Sequence, residues 1–286
     1  MNNNLNREDE DLVIIDFHVH IDESESANVN GVPVKMGRTE ILSNMEEAGI
    51  DISVLLVMAR KGDLAKTRAQ NNWLANICRE DPHFEGFGSV HPGDGSPALE
   101  EMNRCVKELG LKGFKLHPNT QDFDCGDPAL IEVLKQAAEL DVPVIIDSYS
   151  PWDDAQPSKL LKAILSSPET KICLAHVGQW RFMDFGVYGF VKQRTAIDAN
   201  VYFDLSASIT LFYQTPFQEQ FCWITQQIGP DNLLFGSDFP QFFPKTGSGY
   251  PLCPPKFALE AVRNFGYPEN WIPRIVGENA AKLLHI

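Results

Sequence analysis

No apolar run in this 286-residue chain approaches the roughly 18 consecutive positions that a membrane-spanning helix needs. Positive charge is scarce as well. With 24 Lys+Arg against 39 Asp+Glu the net charge is −15, which repels phosphate backbones and anionic lipid and excludes nucleic acid and membranes as expected partners. The six cysteines (Cys78, Cys105, Cys125, Cys173, Cys222 and Cys253) include no Cys-x-x-Cys pair, so neither a zinc ribbon nor a disulfide framework is expected. The opening MNNNLNREDED lacks the basic-then-apolar start of a secretory signal, and residues 1–11 read as a flexible polar tail. A reducing cytoplasm is the expected compartment. There is no residue-level repeat, and no glycine-rich turn follows the first strand candidate, which argues against a doubly wound dinucleotide fold.

What is present is a core and a period. Hydrophobic residues make up 43% and aromatics 10%, enough to exclude disorder as the main state. Eight short runs rich in Val, Ile and Phe recur: Leu12–Phe17, Ile52–Val57, Phe84–Val90, Gly113–Leu116, Val142–Ile146, Lys171–Ala175, Val201–Leu205 and Leu233–Phe235. Their starts lie about 30 residues apart, after a first step of about 40, the spacing of a strand–loop–helix–loop unit. Ser96-Pro97, Asp127-Pro128 and Thr215-Pro216 read as helix starts, with Gln218 in capping-box spacing from Thr215, and Gly49 and Gly110 read as helix stops. Eight such units predict an α/β fold, a single-domain (β/α)8 TIM barrel over residues 12–286. Two loops are unusually long, Asp22–Arg38 after the first strand and Phe239–Pro255 after the eighth. In a closed barrel both lie over one mouth, as a lid or as surface packing.

The polar residues at the strand ends carry the chemistry, since barrel enzymes keep their active sites at that face. His18 and His20 are two apart on an extended segment, so both side chains point the same way, and two converging imidazoles suit a divalent metal. The eighth strand closes against the first and brings Asp238 beside them as a third ligand. His176 follows the sixth strand and His117 the fourth, where each would meet substrate, hold water or satisfy a backbone carbonyl. Lys115 shares a strand face with His117, and its burial would require a carboxylate such as Asp147. Arg60 and Arg181, just beyond the second and sixth strands, are candidates for a cationic clamp on a substrate carboxylate. Tyr149 and Trp180, with Trp152, Phe182, Phe239, Phe242 and Phe243, suggest a pocket for a flat or apolar small molecule.

The segments DFHVH, GFKLHP, LAHVG and GSDFP, with GENAAKLL near the end, resemble the amidohydrolase superfamily. The match is to its amidohydrolase-related group, which contains aminocarboxymuconate-semialdehyde decarboxylase, hydroxybenzoate-type decarboxylases and 2-pyrone-dicarboxylate lactonase. The resemblance runs from residue 12 to residue 286. It implies that His18 and His20 are the paired metal ligands, that Asp238 binds metal and moves a proton, and that His176 contacts the reactive water or the substrate. Where the group carries a strand-5 histidine this chain has Asp147, either a fourth ligand or a partner of Lys115. One divalent ion is implied, zinc or manganese, while the lactonase-like members leave metal-free operation open. The leading expectation is hydrolysis of a lactone, amide or related C–O or C–N bond by metal-activated water, with Asp238 as the proton carrier and His176 steadying the carbonyl. The alternatives are non-oxidative decarboxylation of a small aromatic or dienoic carboxylate, and a non-catalytic ligand-binding barrel. A small-molecule partner is expected, and a homo-oligomer is allowed.

Overall fold

In a computed structural model, which describes residues 12–29, 31–194, 200–243 and 251–286, eight parallel strands follow in chain order. They are β1 (Ile15–His20), β2 (Ile52–Leu56), β3 (Phe84–Gly88), β4 (Gly113–Leu116), β5 (Val144–Asp147), β6 (Ile172–Ala175), β7 (Val201–Asp204) and β8 (Leu233–Leu234). A helix follows each strand: α1 (Arg38–Ala48), α2 (Leu64–Glu80), α3 (Ser96–Lys107), α4 (Pro128–Glu139), α5 (Gln156–Leu165), α6 (Phe182–Arg194), α7 (Gln218–Ile228) and α8 (Pro255–Asn264). Each strand pairs with its successor. The segment after β8 returns to β1, with Phe17 N–H donating to Phe235 O at 3.0 Å and His20 N–H to Phe239 O at 2.8 Å. A parallel bridge joins Val19 and Phe239. The result is the expected (β/α)8 barrel, nearly closed. The expected tail, residues 1–11, and residues 244–250 of the loop after β8 lie outside the described residues. Among the described residues no helix is long and apolar enough to cross a membrane. All six cysteines are free.

Strand alternation separates two buried clusters. Phe114, Leu116, Val144, Ile146, Ile172, Leu174, Phe203 and Leu233 face the helices. Ile15, Phe17, Val54, Leu56, Phe87, Ile145, Cys173, Ala175 and Leu234 fill the barrel interior, stoppered by Ala280, Leu283 and Leu284 of a ninth helix, α9 (Asn279–Leu284). The filled interior leaves only the carboxyl ends of the strands open to polar groups. In β1 the alternation breaks: its register against β2 shifts between Asp16 and Val19. Phe17 belongs to the interior while Val19 packs outward, so the bulge re-aims the residues between them toward the mouth.

The helix ends follow the sequence in part. Asp127 accepts from Ala129 N–H at 2.9 Å, and Gly49 closes α1 in the left-handed region at φ 70°. Ser96 does not cap α3: Gly95 occupies that position, and Ser96 sits in the first turn with no capping bond. Thr215 Oγ1 accepts from Phe217 N–H at 3.2 Å, but Gln218 Oε1 takes the amide of Gln214 at 2.7 Å, so the capping box does not form as expected. Both long loops contain a two-stranded antiparallel ribbon, Ser26–Val29 with Val32–Lys35 and Gln241–Phe242 with Leu252–Cys253.

Candidate functional site

Three ligand atoms meet at the mouth. His18 Nε2 lies 3.3 Å from His20 Nε2 and 3.3 Å from Asp238 Oδ1, and His20 Nε2 lies 3.4 Å from the same oxygen. Such separations are those of atoms each about 2.1 Å from one ion, so the donor set fits a divalent metal. The ring of His18 is set for this. Its Nδ1–H donates to Asp204 Oδ2 at 2.5 Å, which leaves the Nε2 lone pair facing His20 and Asp238. Burial, reinforced by the nearby Lys115 charge, holds the His18 pKa well below its ordinary value, so the ring is neutral, as a ligand must be. Asp238 sits at a positive φ of 57° with its amide donating to His18 O at 2.9 Å. Burial works against its ionisation, but the charge of His176, foremost, holds its carboxyl well below the usual range, and it is an anion.

Asp147 does not join this cluster. Its Oδ2 lies 3.2 Å from His176 Nε2 and 3.7 Å from His117 Nε2. Nor does it pair with Lys115, whose Nζ lies 3.2 Å from His18 Nε2. His176 is fixed from both sides, because its Nδ1 lies 3.0 Å from Ser206 O, an acceptor, and its Nε2 faces the Asp147 carboxylate. The same Nδ1 also lies 3.0 Å from Ser206 Oγ, and a proton on each ring nitrogen satisfies both the carbonyl and the carboxylate. Burial disfavours the charged ring, but Asp238 and Asp147 outweigh it and push the His176 pKa up to about 9. For His117 burial wins and lowers the pKa to about 4. His176 occupies backbone that ordinary residues avoid, with φ at 65°, and Val177 and Gln179 follow at 47° and 46°. Ser148 pins this turn: its hydroxyl donates to Ala175 O and accepts from Gly178 N–H at 3.0 Å.

The other sequence candidates lie elsewhere. Arg181 is held by Asp184 at 2.8 Å and Asp154 at 3.5 Å, and Arg60 is exposed, so neither is brought to the His18–His20–Asp238 cluster. Trp180 packs edge-on against Phe212 and Phe217, and Trp152 is exposed, while Phe182 and Phe239 are buried in the core. Tyr149 donates its amide to Asp147 Oδ1 at 3.2 Å and accepts at its carbonyl from Asn119. Sequence reading missed Asp204, Ser206 and the role of Asp16. Asp204 ends β7 as the other polar residues end their strands, and that was the available signal. Asp16, whose pKa burial pushes up to about 7, accepts from the amides of Ser237 and His18 and so ties β1 to the end of β8.

The amidohydrolase family model matches residues 15–286. A 2-amino-3-carboxymuconate-6-semialdehyde decarboxylase of Dictyostelium discoideum is 23% identical over 250 residues, which cover 75% of this chain and 65% of that protein. A gamma-resorcylate decarboxylase of Polaromonas sp. is 24% identical over 250 residues, covering 68% of this chain and 74% of the relative. Among solved structures, a Polaromonas dihydroxybenzoic acid decarboxylase with bound manganese and the inhibitor 2-nitroresorcinol superposes with a TM-score of 0.66 at 19% identity. That likeness covers 96% of this chain and 97% of the other. The expectation of hydrolysis is corrected by these relatives, which are decarboxylases. The same strand-end carboxylates and histidines serve either chemistry, which is why the motifs alone pointed the wrong way.

Proposed function

This chain belongs to the amidohydrolase family, and from that membership we propose that it is a metal-dependent, non-oxidative decarboxylase of a small hydroxylated aromatic or dienoic carboxylate. The observation that carries the reading is the convergence of His18 Nε2, His20 Nε2 and Asp238 Oδ1 in a chain whose relatives are decarboxylases. These three residues would hold the ion, manganese or zinc, and Asp204 would keep His18 in the tautomer that binds it. A bound divalent cation supplies Lewis-acid charge to the carboxylate or phenolate oxygens of the substrate.

Replacing a C–COO⁻ bond by C–H releases CO2 and consumes one proton. His176 is the residue that brings it, because both of its ring nitrogens face acceptors and both carry hydrogen. Asp147 orients that ring and connects it to His117, whose side chain is 23% exposed and gives a way in from solvent. Asp238, an anion, serves as ligand rather than as the proton store.

The test is CO2 release by the metal-loaded protein from gamma-resorcylate and from 2-amino-3-carboxymuconate 6-semialdehyde, with a His176→Asn variant alongside. Turnover of either substrate, reduced about 100-fold or more by the variant, is the expected result. A fully metal-loaded protein that releases CO2 from neither would refute the reading.

A further inference from the structure

Lys115 is the most deeply buried cation of the mouth, 1% exposed, on the inward face of β4 between the outward Phe114 and Leu116. A buried ammonium has three donors to satisfy. Among the described residues this one meets a single hydrogen-bond partner, the Nε2 of His18 at 3.2 Å. Asp147 and Asp204 lie within electrostatic reach and supply countercharge without touching it. His18 Nε2 has only one lone pair, since its proton sits on Nδ1 toward Asp204. An ion held by His18, His20 and Asp238 draws on that same lone pair. Metal binding therefore takes away the one partner Lys115 has and leaves a full set of unsatisfied donors at the edge of the metal cluster. Neither Arg60 nor Arg181 is placed to do what such a cation can do there.

We propose that Lys115 is the anchor for the substrate carboxylate, released for that task when metal occupies His18. The inference rests on the decarboxylase reading and adds to it the residue that grips the departing group and a coupling between metal and substrate. Coupling of this kind is reciprocal, so metal strengthens carboxylate binding and bound carboxylate strengthens metal binding by the same factor, while in the free protein Lys115 weakens metal binding by holding the His18 Nε2 lone pair.

Calorimetry with two paired probes tests it, gamma-resorcylate and its decarboxylated counterpart resorcinol, on wild type, Lys115→Met and Lys115→Arg, each first titrated with manganese alone. Lys115→Met is expected to bind gamma-resorcylate about tenfold or more weakly, to bind resorcinol as wild type does, and to bind manganese more tightly. Lys115→Arg, which keeps the charge, is expected to retain more carboxylate affinity than Lys115→Met. Unchanged gamma-resorcylate affinity in both variants would overturn the proposal, even if CO2 release persists and the decarboxylase reading stands. Conversely, Lys115-dependent binding of gamma-resorcylate with no CO2 released supports the anchor and removes decarboxylation. Two manganese ions per wild-type chain would also overturn it, since the second ion would take the place beside Lys115 that the carboxylate is assigned. A wild type that binds gamma-resorcylate no better than resorcinol would do the same.

Discussion

Gly236, just beyond β8, has no side chain because the site leaves no room for one. A Cβ placed there would lie 2.8 Å from Asp204 Oδ1, 2.8 Å from His18 Cβ and 3.1 Å from Ser206 Cβ. These are the groups that set the His18 ring, so the cost of a methyl group falls on ligand geometry as well as on packing. Gly236→Ala is expected to lose about 1–3 kcal/mol of stability from overpacking and to bind manganese about tenfold more weakly through displacement of the Asp204–His18 bond. Urea unfolding and competition with a chelator measure the two effects. Wild-type manganese affinity in this variant would show that the Asp204 contact does not matter to the ion. At this scale the residue types of the candidate site were legible and their pairing was not. His18, His20 and Asp238 announce themselves by spacing and by the closure of the barrel. Asp204 acts on a ring 186 positions away in the chain, and Asp147 turns toward His176 and His117 because both histidines happen to face it.

The elements follow from local rules wherever those rules have no competitor. At the start of α4, Asp127 accepts from the Ala129 amide and Pro128 needs no partner for its nitrogen, so one side chain settles the helix end. Asp127→Ala is expected to cost about 1 kcal/mol. Ser96→Ala, at a sequence motif of the same appearance, is expected to change stability by less than about 0.5 kcal/mol, because Gly95 already forms the turn and Ser96 caps nothing. Denaturant titration of both variants under one condition decides the matter, and equal losses would contradict the assignment of Gly95 as the cap. The same contrast explains how much of the fold was readable. All eight strands lie within a few residues of their apolar runs, because a run buried on both faces has nowhere else to go. The bulge in β1, the left-handed turn at His176 and the ribbons inside the long loops were not readable, since each depends on what the neighbouring strand or loop supplies.

Across the whole molecule the helical layer is held by burial and, between α2 and α3, by one buried carboxylate. The Glu101 side chain is inaccessible to solvent, and it accepts from Arg104 at 2.7 and 2.8 Å, from Asn71 at 2.9 Å and from Arg68 at 3.2 Å. Burial alone would raise its pKa, but the hydrogen bonds from Arg104 and Asn71 together with the Arg104 charge more than offset this and hold it below the ordinary value of 4.5. A carboxyl whose folded-state pKa is depressed stabilises the fold fully above its unfolded pKa, and the contribution disappears as pH falls through the folded value. Glu101→Gln removes the charge while keeping the shape. It leaves Arg104 without its counterion in a half-buried place, and a loss of about 3 kcal/mol at neutral pH is expected. The gap between wild type and variant should be constant from neutrality down to about pH 5 and then narrow on further acidification, because only the wild type has this proton to take up. Urea unfolding at pH 7, 5, 4 and 3 follows the gap directly. If it stayed the same at all four values, the loss would come from the amide donor that replaces one acceptor oxygen opposite Arg104 and Asn71, and not from the charge of the ionised carboxylate.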